Sequence, residues 1–139
     1  MTTTINLDTA TKLIEASQEK AEEIDVPSVI TVANSDGNLI AQHRMDDAWL
    51  ASVNISKNKA YTAAALQMPT HELAEASEPG EPLYGLQTTD DERIVVFGGG
   101  FPLRHDGEIV GTIGSSGGQV DEDMEVARVG IDAFEELSG

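Results

Sequence analysis

Apolar residues recur at two different periods along this chain, and the switches between them mark out its elements. Leu7, Ala10, Leu13, Ile14, Ala21 and Ile24 keep helical spacing, with Asn6 in the capping position and Pro27 beyond the end, so the spacing predicts a helix over about residues 7–24. Residues 28–33 and 38–44 read as two strands joined by Ser35-Asp36-Gly37, a hairpin signal. Asp46-Asp47-Ala48 interrupts the pattern, and a second helix is predicted over about residues 52–67. Its apolar and small residues occupy two sides, with Val53, Ala60, Ala63 and Ala64 on one and Ile55 and Leu66 near the other. Such a helix is expected to be covered twice, by the sheet and by a further layer or another subunit. Thr70 is placed to cap a short helix through Glu75, and prolines, glycine and acids mark residues 78–91 as a loop. Residues 94–97, 101–104 and 108–115 predict three more strands, the last two joined by His105-Asp106-Gly107, and residues 121–137 predict a closing helix. The order defines an α+β class, a five-stranded antiparallel sheet flanked by helices.

Length and charge then narrow the picture. The 139 residues suit a single domain over 1–139, large enough for its own core. Cysteine is absent, which excludes disulfides, thiolate nucleophiles and cysteine zinc sites. The start, Met1-Thr2-Thr3-Thr4-Ile5, shows neither a basic nor an apolar leader region, and no run approaches membrane length. A cytoplasmic location is expected. With 25 acids against 8 bases the formal net charge is -17, spread along the chain, so the surface repels nucleic acid and anionic membranes. Low lysine with abundant alanine, valine, threonine and aspartate points further, to a protein adapted to molar salt.

The candidate chemistry gathers at two glycine clusters. Gly98-Gly99-Gly100 ends the 94–97 run, and Gly114-Ser115-Ser116-Gly117-Gly118 ends the 108–115 run. Glycines in such numbers make sense where the chain turns sharply or another group approaches its backbone. The two clusters are expected to form one wall of a small-molecule pocket, with the Ser115 and Ser116 hydroxyls at its mouth. Lys59, on the flank of the second helix, could present its ammonium to a ligand carboxylate there or form an ion pair with Asp46 or a neighbouring acid. Arg44 is read as a structural partner of Asp46. A phosphate-loop reading is disfavoured, because Asp121, Glu122, Asp123 and Glu125 already compensate the start of the last helix and no Walker lysine follows. Among the histidines, His105 lies in a turn and His71 follows Thr70, whereas His43 alternates with Ala41 and Leu39 and could line a pocket. Three scattered histidines make no metal site.

Several blocks in order resemble one known family: Val32-Ala33-Asn34-Ser35-Asp36-Gly37-Asn38-Leu39, Arg44-Met45-Asp46, Lys59-Ala60-Tyr61-Thr62-Ala63, Gly98-Gly99-Gly100 with Pro102, and 106–118 followed by an acidic helix. The pattern is similar to the GlcG/HbpS-like family and covers nearly the whole chain. That resemblance implies a profilin-like fold and a homo-oligomer. It also implies kinship with haem-binding accessory proteins, a glycolate-utilisation accessory protein and the C-terminal domain of PduO-type corrinoid adenosyltransferases. Haem is the cofactor it suggests, although no iron ligand stands out. Two functions stay open. One is a non-enzymatic module holding a tetrapyrrole or small carboxylate, with Lys59, His43, Gly98, Gly99, Gly100, Ser115, Ser116 and Gly117 as binding residues. The other is a small enzyme acting on an organic acid or degrading haem, with Lys59 or His43 as acid/base; no partnered catalytic set is recognisable.

Overall fold

Two helices cover one face of an antiparallel sheet and a third covers the other, and this division follows from which residues each strand sends to each side. The computed structural model describes residues 4–138; Met1, Thr2 and Thr3 of the N-terminal stretch, and Gly139, lie outside the described residues. Helix α1 runs Leu7–Glu23 and opens on the Asn6 side chain, which accepts the Thr9 N–H at 2.8 Å. Strands β1 (Val29–Asn34) and β2 (Leu39–Arg44) form the expected hairpin, with Gly37 at φ +86°. The Asn34 side chain accepts the N–H groups of Asp36 and Asn38. Helix α2 spans Ala51–Ala65, a short helix α3 spans Leu73–Ala76, and β3 (Gly100–His105) and β4 (Glu108–Ser116) lead into α4 (Val120–Ser138). The sheet order is β2-β1-β4-β3, every pair antiparallel.

The two faces differ in chemistry. Ile30, Val32, Phe101, Leu103 and Ile113 meet Leu13 and Ile14 of α1 and Val126, Ala127 and Phe134 of α4 in the apolar core. Close approach of the two helices is possible because Gly130 leaves room for Ser17, whose hydroxyl donates to the Val126 carbonyl at 2.7 Å. The α2 face is small and polar instead. Thr31 and Ser56 share a hydrogen bond at 2.9 Å, Thr112 donates to the Ala60 carbonyl at 2.8 Å and Ser116 to Ser52 at 3.0 Å. Buried hydroxyls on this face are thus paired with α2, which a buried polar layer requires.

Four strands are present among the described residues, and the expected five-stranded sheet is corrected by the fate of residues 94–97. That apolar run joins no ladder. Ile94 and Val95 are buried, but they lie along α2 as a strap held by one hydroxyl: Thr62 Oγ1 donates to the Arg93 carbonyl and accepts the Val95 N–H at 3.0 Å. A short apolar run carries no signal that separates a strand from a strap. The strap lies against Thr62 of α2, while Leu66 remains 38% exposed. Thr70 does not cap a helix either; its hydroxyl is buried and accepts the Gly100 N–H at 3.0 Å.

Candidate functional site

The sheet brings Lys59 of α2 and both glycine clusters together. The Gly99 carbonyl oxygen accepts the Ser115 N–H at 2.9 Å, which ties the end of the strap to β4. A Cβ on Gly114 would collide with the Ser56 carbonyl oxygen, one on Gly100 with the Lys59 carbonyl oxygen, and one on Gly99 would lie 2.6 Å from Lys59 Nζ. The space bordered by these glycines is therefore filled by the α2 backbone and the Lys59 stem. Lys59 itself is fully buried. Its ammonium donates to the Ser115 carbonyl at 2.8 Å and to Asp123 Oδ2 at 3.0 Å, and stands 5.2 Å from the centre of the Phe97 ring. The partner is thus Asp123, not Asp46; Asp123 also accepts the Gly118 N–H at 2.9 Å, so one carboxylate joins α2, β4 and the start of α4. Burial pushes the Lys59 ammonium below the ordinary lysine value, opposed by attraction to and hydrogen bonding with Asp123. Burial likewise pushes the Asp123 carboxyl up, opposed by Lys59 and the N–H groups of Gly118 and Gly117. Ser115 Oγ, by contrast, is buried without a hydrogen-bond partner among the described residues, while Ser116 is used by Ser52.

His43 lies apart from this cluster, on edge strand β2. Neighbouring Gln42 points to α2, where its amide donates to Thr31 and to the Val53 carbonyl, so His43 points to α1 by strand alternation. There its Nδ1 is 3.2 Å from Gln18 Oε1. An amide oxygen only accepts, so Nδ1 is the donor in this contact, and in a neutral ring Nε2 is the nitrogen with the lone pair. The half-buried ring lines a cleft of about 510 Å³ with Gln18, Glu22, Arg44, Met45 and Asp46. Arg44 donates to the Ala48 carbonyl at 3.0 Å and, among the described residues, makes no ion pair with Asp46. The other histidines are placed differently: His71 packs 5.6 Å from the Phe101 ring, and His105 is half exposed in its turn beside Asp106. Gln18 gives no signal in the sequence, because a polar residue on the flank of an amphipathic helix looks like any solvated one. Asp123 is one of several acids at a helix start, and only its burial sets it apart.

The fold and sites define an α+β protein with a desolvated lysine–aspartate pair at one end of the sheet and an imidazole-lined cleft at its edge. Residues 5–132 match the family described as haem-degrading protein, HbpS-like, and the chain belongs to that family. It is 48% identical over 96% of its length to a 15.0 kDa uncharacterised protein from the dhaT-dhaS intergenic region of Citrobacter freundii, covering 94% of that protein. With the corrinoid adenosyltransferase PduO of Salmonella typhimurium it shares 39% identity over 88% of its own length but only 37% of PduO. The crystal structure of a PduOC:haem complex superposes with a TM-score of 0.90 at 37% identity, covering 94% of each chain. No described helix is long and apolar enough to cross a membrane.

Proposed function

We propose that this chain binds haem in the cleft between α1 and β2, with His43 Nε2 as the protein's iron ligand. The observation that carries the reading is the Gln18–His43 contact, 3.2 Å, in a cleft of about 510 Å³. A second group that holds the protonated ring nitrogen fixes the tautomer and aims the other nitrogen outward, as metal-ligating histidines require. The volume lies in the range of small-molecule sites. Met45, whose sulfur accepts the Ser28 N–H at 3.4 Å, and Arg44, which donates to the Ala48 carbonyl, also line the cleft, and Arg44 is its one Lys or Arg. Bound there, the iron would supply a redox-active centre, with His43 Nε2 as the protein group that would hold it. Family membership and the haem complex of a 37% identical relative support the reading.

In this reading Lys59, Gly98, Gly99, Gly100, Ser115, Ser116 and Gly117 hold α2, the strap and α4 in place and do not touch the ligand; the ammonium has protein acceptors already. The role is binding, in a salt-adapted protein that assembles as a homo-oligomer. Adjacent Trp49 and Leu50, 65% and 73% exposed at the start of α2, support the assembly. The test is a haemin titration followed in the Soret region in molar KCl. The wild type should saturate at one haem per chain, His43→Ala should lose the ligated spectrum, and Gln18→Ala should bind roughly 10- to 100-fold more weakly, the usual effect of removing a group behind a metal ligand. Unchanged spectra and affinity in both variants would remove His43 from the site.

A further inference from the structure

A second cleft, about 500 Å³, opens on the far side of the sheet between the outer face of α2, the β1–β2 hairpin and the end of the loop before the strap. Asn54, Lys57, Asn58 and Tyr61 recur at helical spacing and form one outward stripe. Asn38 closes the cleft from the hairpin and Arg93 from the loop.

Three observations set it apart. First, it has two bases and no acid in its lining, in a chain with 25 acids and 8 bases. Second, seven bases are engaged. Lys12, Lys20, Lys59 and Arg93 pair with carboxylates, Arg44 and Arg104 donate to carbonyls, and Arg128 lies over the Phe101 ring. Lys57 alone has no hydrogen bond, ion pair or ring contact among the described residues. The side-chain amides of Asn38, Asn54 and Asn58 are likewise unused among the described residues. Third, the wall at residues 90–93 is tied to Tyr61. Asp90, Asp91 and Glu92 take φ of 52°, 57° and 61°, three consecutive left-handed residues without a glycine, a conformation that persists only where the surroundings impose it. Here Asp90 accepts from Arg93 at 2.7 Å and from the Tyr61 hydroxyl at 2.5 Å, and Arg93 stacks 4.2 Å from the centre of the Tyr61 ring.

We infer that this cleft binds a small polyhydroxylated carboxylate, its carboxylate on Lys57 and its hydroxyls on the amides of Asn38, Asn54 and Asn58. An ammonium without a partner recognises one negative charge, and three free amides offer both donors and acceptors, which suit hydroxyls and not a bare anion. The site is separate from the haem cleft at the other end of β2.

The experiment is a titration of the isotope-labelled full chain in molar KCl with gluconate, followed by amide resonances, with inorganic phosphate and glucose as controls. Gluconate should shift the side-chain amide signals of Asn38, Asn54 and Asn58 to saturation. Lys57→Gln should weaken it roughly tenfold or more, the scale of a charge-assisted hydrogen bond, and leave haemin binding unchanged. Lys57 is exposed, so the variant should keep its fold. Equal binding of phosphate would overturn the hydroxyl assignment, equal binding of glucose the carboxylate assignment, and no saturable shift with gluconate the site itself.

Discussion

Lys59 heads the fully buried side chains in size, and its position explains why so many glycines surround it. An ammonium removed from water needs a counter-charge and acceptors in place, and Asp123 with the Ser115 carbonyl supplies them at 3.0 and 2.8 Å. Replacing one partner leaves the other buried and uncompensated. Lys59→Met should therefore cost about 3 to 5 kcal/mol in urea unfolding, and adding Asp123→Leu should recover part of that loss. Simple additivity of the two changes would show that the pair is not coupled. The pH dependence follows from the directions of the shifts. Burial raises the folded Asp123 carboxyl above its ordinary value of 3.8, so its contribution to stability is present at low pH and is lost as pH rises through the raised value. Without Lys59 the carboxyl rises further. The deficit of Lys59→Met should thus shrink as pH falls from neutral toward 4; a deficit that grows would contradict the assignment.

At the scale of elements, the strap at 94–97 shows what periodicity conveys and what it does not. Helices α1 and α4 are legible because their apolar stripes are continuous, and the β1–β2 hairpin because Asp36-Gly37 has one good solution. The strap reads as a strand, since Ile94-Val95-Val96-Phe97 is apolar and β-branched in either role. What decides its role is a hydroxyl 33 residues away: Thr62 takes the place of a neighbouring strand by accepting the Val95 N–H and donating to the Arg93 carbonyl. Long-range pairing of this kind leaves no local trace. Thr62→Val should leave the Val95 N–H buried and unpaired, at a cost of about 1 to 3 kcal/mol, and should speed exchange of that amide ahead of its neighbours. Unchanged exchange would mean that the strap is held by packing alone. The candidate sites divide in the same way. Glycine clusters mark where α2 approaches the sheet, but their neighbours Asp123 and Thr70 cannot be chosen from several equivalent acids and hydroxyls. His43 is visible as a strand residue, whereas Gln18, which orients it, lies on another element.

At the scale of the whole molecule, 25 acids stand against 8 bases. A net charge of -17 on a chain of 139 residues makes the compact state repel itself, and few bases are free to offset it. Raising KCl to 1 M shortens the Debye length to about 3 Å, so the melting temperature should climb steeply with salt, and a flat response would argue against salt adaptation. Glu22 and Asp46 rim the His43 cleft, so the same screening should strengthen the binding of haem, whose propionates are negative.

The anomalous scattering of iron in crystals of the haem-loaded protein would locate the metal. Haem held in the α1–β2 cleft gives an iron peak bonded to His43 Nε2, with Gln18 still hydrogen-bonded to Nδ1; a peak ligated by any other residue, with that cleft filled by solvent, would overturn the assignment.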